Sequence, residues 1–334
     1  MQSFRLSVVI FLILSLLKTA GAASELDFSR VVTVLTKPVP ATALYRNDKT
    51  LGATTGLLLP GGRYVVAPYS EVKEALFIEV VLPDGDSLSA RFKTYDQFTE
   101  LAFLELEHQI REKRKLTYTR RTPVPGERVY LVTRRGELEV YPGWVVRNPS
   151  PLRVHGYLRE DYFKVFSPAV YSGPVFNARG EFCGFLVSLP STVGKFEALV
   201  ESGRTIRLAV ERFLQEGRVT WAWLGVETVP ISASLVRALG IPSRRGLLVT
   251  KVYPRSPAAR AGLRAGRATK SVGNRIYQIG GDLILKVSGL PVERPEELFN
   301  LVLSKRPGET LELEILRRGK RRYIAIKLSR RPER

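Results

Sequence analysis

Few residues in this chain could carry covalent chemistry. The best-placed hydroxyl is Ser172, in the run Tyr171-Ser172-Gly173-Pro174-Val175-Phe176, where a turn enters an apolar stretch. A serine hydroxyl is a weak nucleophile and needs an adjacent base to take its proton. The chain has two histidines, His108 and His155, far apart in sequence. Each reads as a surface or hydrogen-bonded structural residue rather than as that base. A serine–lysine dyad would use Lys73 or Lys164, but no positional pattern ties either to Ser172. The single cysteine, Cys183, lies in an apolar strand and reads as a buried, inert thiol; no intrachain disulfide can form. One cysteine and two isolated histidines give no metal-ligand spacing, so neither metal nor cofactor is expected.

The elements that would position Ser172 are β-strands. From Val31 to about Val200 the sequence alternates short apolar runs with turn residues. Thr55–Leu59 and Arg63–Ala67 read as a hairpin about Pro60-Gly61-Gly62, and Phe77–Leu82 and Ser87–Phe92 as another about Pro83-Asp84-Gly85. Leu101–Leu106, Arg128–Val132, Gly143–Val146 and Lys164–Phe166 continue the series. A further hairpin turns at Asn177-Ala178-Arg179-Gly180, where Gly180 can supply a positive φ. Regular short strands with glycine turns predict an all-β barrel or sandwich. A helix is expected next, with Thr205 as N-cap, an apolar face through Ile206, Val210, Phe213 and Leu214, and a stop at Gly217. Beyond Arg218 the pattern changes. A short helix around Ser232–Leu239, a strand at Gly246–Thr250, a proline-entered helix at Ser256–Leu263 and a turn and strand at Gly280–Gly289 are predicted. A helix over Pro295–Ser304 and a final hairpin about Gly319 complete the series.

Composition bounds the partners. The chain has 334 residues, 44% hydrophobic and 25% charged, and a formal net charge of +20. Of that charge, +14 lies in residues 221–334, which hold 23 Lys/Arg and 9 Asp/Glu. Such a balance suits an anionic lipid surface or acidic protein, or reflects a solvated basic surface. Nucleic acid is disfavoured, because aromatics are not interleaved with the basic runs. At the N-terminus, Arg5, the apolar run Val8–Leu17 and Ala20-Gly21-Ala22 form an export-signal pattern over residues 1–22. A periplasmic or extracellular location follows, with an uncleaved membrane anchor as the alternative.

Two resemblances sharpen this reading. Residues 222–330 resemble a PDZ domain of the bacterial protease type, through Ser256-Pro257-Ala258-Ala259-Arg260-Ala261-Gly262-Leu263, the Gly281-Asp282 pair and Arg306-Pro307-Gly308-Glu309. Residues 28–215 resemble the HtrA/Deg proteases. There the run Gly173-Pro174-Val175-Phe176-Asn177 to Gly184 matches the segment after the family's nucleophile. The resemblance implies a mainly β fold: a trypsin-like double barrel of two six-stranded barrels, then a PDZ domain, a small sandwich with two helices. The expected boundaries are 1–22 signal, 23–215 protease-like domain, 216–222 linker, 223–330 PDZ domain and 331–334 basic tail. The resemblance also places the triad. Tyr64-Val65-Val66-Ala67-Pro68-Tyr69-Ser70 puts Ser70 at the histidine, Thr99-Glu100-Leu101-Ala102 puts Glu100 at the aspartate, and Ala169-Val170-Tyr171-Ser172-Gly173-Pro174 puts Tyr171 at the serine.

The expected function is therefore that of a pseudoprotease that binds protein C-termini or unfolded polypeptide, or regulates an active protease by mixed assembly. The resemblance implies that the backbone of Trp223, Leu224, Gly225 and Val226 cradles a C-terminal carboxylate and that Leu298 and Val302 line the groove. The family's habit implies a homo-trimer or mixed oligomer. The alternatives are a serine endopeptidase using Ser172, and an envelope scaffold on anionic surfaces. Arg267–Ile279 reads as an insertion with no assigned role.

Overall fold

A computed structural model describes residues 26–332, apart from 39–51, 112–114, 147–151, 155–156, 160–161, 168–170, 189–196, 240–244 and 273–274. The signal pattern at residues 1–22, His155 and the start of the Ala169–Pro174 run lie outside the described residues. The fold divides into two compact units, one of residues 1–149 and 162–219, the other of 150–161 and 220–334.

The first unit holds two closed six-stranded barrels. In the first barrel, β1 (Val31–Pro38), β2 (Gly52–Leu58), β3 (Tyr64–Pro68), β4 (Ala75–Val81), β5 (Ser87–Asp96) and β6 (Leu101–Leu106) close in the order β1-β2-β3-β6-β5-β4. Closure leaves no exposed sheet edge. The inward alternation of Val32, Val34, Val65, Ala67, Val80, Ala102 and Leu104 forms its core. The β2–β3 turn needs glycine for contact as well as conformation. At Gly62 φ is +65°, and a Cβ there would lie 2.1 Å from the Ile110 carbonyl oxygen. Between β3 and β4 sits a single helical turn, α1 (Tyr69–Val72).

The second barrel is built from β7 (Arg128–Arg134), β8 (Leu138–Val146), β11 (Tyr162–Phe166), β12 (Gly173–Asn177), β13 (Phe182–Ser188) and β14 (Glu197–Ser202), in the order β11-β14-β13-β12-β7-β8. β8 extends five residues earlier than its glycine-bounded sequence signal, because Leu138–Trp144 pair with β7. The β12–β13 turn forms as the sequence predicts. Asn177 Oδ1 accepts from the amides of Arg179 and Glu181, and Gly180 has φ +73°. Cys183 is buried on β13, and burial pushes its thiol up to about 12. The β7–β8 turn ties the barrels together, with the amides of Arg134 and Gly136 donating to Thr55 Oγ1 and Thr33 Oγ1.

Helix α2 (Gly203–Glu216) follows β14. Two expectations are corrected here. The N-cap is Ser202, whose Oγ accepts from the Arg204 amide, because β14 runs straight into the helix; Thr205 is buried within the first turn. Ile206, Val210 and Phe213 are buried, but Leu214 is 45% exposed and lies off the packed stripe. The Phe213 ring carries the helix back to the first barrel, with centroids 4.3 Å from Phe103 and 4.9 Å from Tyr64. Gly217 ends the helix in the left-handed conformation.

In the second unit, β9 (Leu152–Val154) and β10 (Tyr157–Arg159) form a two-stranded ladder. The strand β15 (Ala222–Trp223) pairs with β24 (Ser329–Arg330). The main sheet comprises β16 (Val226–Pro230), β17 (Leu247–Val252), β20 (Leu283–Val287), β22 (Thr310–Arg317) and β23 (Lys320–Lys327), in that spatial order, with β21 (Leu290–Pro291) beside β20. A separate ladder, β18 (Ala268–Val272) with β19 (Arg275–Ile279), occupies the Arg267–Ile279 insertion. The helices are α3 (Ala233–Leu239), α4 (Pro257–Arg260) and α5 (Pro295–Ser304). Leu247, Val249, Ile284, Val287, Leu298, Leu313 and Ile315 centre the core. Asp282 is buried and held by Arg317 at 2.7 Å and by the Arg264 amide at 2.8 Å, which explains the Gly281-Asp282 motif. The basic tip is therefore not all solvated turn: Arg317 serves this pair, and Arg321 pairs with Glu314 at 2.8 Å.

Candidate functional site

The site residues expected from the sequence fall in two places among the described residues. The first is in the double barrel. Ser70 lies on α1 and is exposed. Glu100 precedes β6 with φ +58°, and its carbonyl accepts from the Tyr69 amide at 2.9 Å, which links it to the corner bearing Ser70. The Tyr69 ring stacks on Tyr95 at 4.1 Å, fixing that corner from the side. Just upstream of Glu100, Asp96 is buried and accepts from the amides of Phe98 and Thr99 and from Thr99 Oγ1. This carboxylate shapes the loop that presents Glu100.

Tyr171 and Ser172 precede β12. The close approach of β12 to β7 fixes what can follow them: a Cβ at Gly173 would lie 2.2 Å from the Val132 carbonyl oxygen. Tyr171 is 40% exposed, with its ring 4.1 Å from the Arg135 guanidinium. Ser172 is buried, and its Oγ donates to Glu71 Oε1 at 2.8 Å. This side-chain contact thus joins the residues one position after Ser70 and Tyr171. Glu71 carried no signal of its own in the sequence beyond lying directly after Ser70, the residue that the resemblance places at the histidine. His108 is exposed after β6, and Ser172's hydrogen bond runs to Glu71 rather than to His108, Lys73 or Lys164. A carboxylate is a far weaker base than imidazole near neutral pH, so this bond orients the hydroxyl better than it activates it. No cluster of three metal-ligating side chains occurs among the described residues.

The second place is a narrow groove of about 80 Å³ in the second unit, bounded by β16 and α5. Trp223, Leu224, Gly225, Val226, Leu298 and Val302 all line it. The carbonyls of Leu224 and Gly225 accept from the amides of Ala258 and Tyr253, both at 3.0 Å. The peptide bonds are trans, so the N–H groups of Gly225 and Val226 point away from those partners. Amides turned in this way are able to bind an anion. Gly225 is required for this geometry, with φ +83° and a hypothetical Cβ 2.2 Å from Ser256 Cβ. The far wall follows helical spacing: Pro295, Leu298, Phe299 and Val302 share one face of α5. Thr228, Tyr253 and Arg331 also line the groove and carried no local sequence signal. β16 pairs with β17 on one side, and α5 stands on the other across the groove.

The comparisons with known proteins agree with this architecture. The model of the PDZ domain matches residues 222–328. A probable periplasmic serine endoprotease, DegP-like, from Rhizobium meliloti strain 1021 is 25% identical over 83% of this chain and 53% of its own length. A protein of the same description from Pseudomonas putida strain GB-1 is 28% identical over 86% of this chain and 58% of its own. The chain spans little more than half the length of these relatives. Among solved structures, the HtrA-type protease AlgW with a tripeptide superposes with a TM-score of 0.69 at 22% identity, covering 94% of this chain and 98% of that one. The serine endoprotease from Yersinia pestis gives a TM-score of 0.57 at 20% identity, covering 93% and 97%. Fold, domain order and sequence relatives agree: the chain carries the plan of the HtrA/Deg family, a trypsin-like double barrel followed by a PDZ domain.

Proposed function

We propose that this chain captures polypeptide C-termini in the groove between β16 and α5, and that its double barrel is a protease scaffold with a degenerate triad at Ser70, Glu100 and Tyr171. The observation that carries the reading is the edge strand β16 facing α5 across a groove closed by the Leu224–Val226 amides. An extended peptide can add a strand to such an edge while those amides hold its carboxylate. This binding needs no catalytic residue. In the barrel, a serine at the histidine position cannot take a proton from a nucleophile. Removing either the base or the nucleophile of such a triad costs roughly 10⁶ in turnover. The peptide-bound AlgW structures are consistent with peptide binding as the retained activity. The relatives' periplasmic descriptions and the apolar run Val8–Leu17 support a place in the periplasm.

A second reading, a serine endopeptidase using Ser172, is favoured by one observation: its hydroxyl already donates to Glu71. One experiment separates the two. A serine-directed fluorophosphonate should leave Ser172 unlabelled, and casein should stay intact. Labelling at Ser172 together with cleavage, both lost in Ser172→Ala, would establish the protease instead. Binding of a C-terminal decapeptide, measured by anisotropy, should fall at least about tenfold in Val302→Arg, about 1.4 kcal/mol or more, and on amidation of the peptide's carboxylate.

A further inference from the structure

The insertion between α4 and β20 builds a wall on the other face of the edge strand. Residues alternate along a strand, so Val226 and Thr228 turn inward while Glu227 and Val229 turn to the opposite face. Ile276 and Tyr277 of β19 meet that face, together with Thr250 and Lys251 of β17. The hollow so formed is open to solvent and has a volume of about 610 Å³, against about 80 Å³ for the groove beside α5. Glu227 lines both, so the two flank the same strand, β16. The hollow has an apolar side: Ile276 is 76% exposed and Tyr277 is partly exposed. Its polar side is already engaged, with Glu227 accepting from Tyr253 Oη at 2.6 Å and pairing with Lys251 at 3.6 Å. The stretch that carries the hairpin, Arg255–Gly281, holds six Lys/Arg and no Asp/Glu.

We propose that the β18–β19 hairpin forms a second subsite of the peptide groove, which reads the alternate side chains of an acidic C-terminal peptide and takes a bulky apolar one. The proposal rests on the peptide-capture reading above. A strand added antiparallel to β16 starts at the Leu224–Val226 cradle and shares the two-residue alternation. If the side chains of its last residue and of the residue two before it turn toward α5, those of the penultimate residue and of the one two before that face Glu227, Val229 and the hairpin. A large aliphatic or aromatic side chain there covers Ile276 and Tyr277. Acidic residues further upstream meet the cationic stretch.

The test uses the full chain and three decapeptides ending in valine. One has phenylalanine at the first and third residues before the terminus and two aspartates upstream. The second has glycine at those two positions, and the third replaces the aspartates with lysines. The phenylalanine peptide should bind about tenfold more tightly than the glycine peptide. That ratio should collapse toward one in the double variant Ile276→Ser/Tyr277→Ser. The lysine peptide should bind more weakly than its aspartate counterpart, with the difference shrinking as salt is raised. An unchanged ratio in the double variant would overturn the subsite, and so would equal loss for both peptides. If all three bind but only Val302→Arg matters, capture stands and the hairpin subsite fails. If none binds wild-type protein, both readings fail.

Discussion

At the scale of single residues, the barrel site is decided by close approach. Gly173 is where β12 passes so near β7 that a methyl group has no room. Gly173→Ala is expected to destabilise the fold by about 2 kcal/mol, as overpacking against rigid backbone does, and a denaturant midpoint measures it. Gly180→Ala is the control for turn strain alone, because its Cβ would meet nothing nearer than a leucine methyl at 3.5 Å. The same geometry bears on Ser172. Its hydroxyl is buried beside β12 with Glu71 as acceptor, whereas Tyr171 turns its ring out onto Arg135. The sequence marked position 171 as the anomalous one. The neighbouring Ser172–Glu71 bond depends on where α1 and β12 meet, which no local pattern encodes.

At the scale of elements, turns and caps were the most legible. Asn177–Gly180 turns as its residue types require, and Pro295–Ser304 is helical over the range its sequence marks, with Pro295 first and Glu297 accepting from the Arg294 amide. The start of α2 was not legible, because Ser202 and Thr205 are both acceptable caps and only the end of β14 chooses between them. Ser202→Ala should cost about 1 kcal/mol, against a smaller capping effect for the equivalent change at Thr205. Thermal melts of the two variants measure the difference. If the Thr205 variant loses helical signal at the amide end and the Ser202 variant does not, the assignment of the cap is wrong. The leucine at 214 shows the limit of periodicity: it fits an i, i+4 stripe from Val210 but lies past the point where α2 packs on the barrels.

At the scale of the whole molecule, charge sets the acid behaviour. Arg63 foremost, then Arg91 and Lys93, hold the Glu105 carboxylate at about 2, well below its ordinary 4.5. A carboxylate depressed on folding stabilises the native state above its unfolded value, and that contribution is lost as pH falls toward the folded value. Stability should therefore drop between about pH 4.5 and pH 2. The partners are largely exposed, so the share from Glu105 is on the order of 1 kcal/mol. Glu105→Gln should flatten that part of the pH profile, read by urea unfolding at pH 3 and pH 7. Acidification also raises a net charge that is already +20, which adds repulsion over the whole chain. Some of the cations in residues 221–334 are engaged within the fold, as Arg317, Arg321 and Lys286 show.

What the sequence determined by itself is the architecture. Glycine turns, two-residue alternation and the proline-started helices specify strands and breaks locally, because each depends on a residue's own φ, ψ and the period of its neighbours. The resemblance to a protease, which implies Ser70, Glu100 and Tyr171 at the triad positions, rests on residue identities that folding does not alter. Tertiary structure decided which side chains meet. Glu71 reaches Ser172 across 101 residues of chain. Thr228, Tyr253 and Arg331 join the groove from three separate strands or their ends, and Ile276 and Tyr277 face the edge strand from an insertion with no sequence-level role. Such juxtapositions follow from barrel closure and sheet order, which are properties of the packed chain and of no single segment.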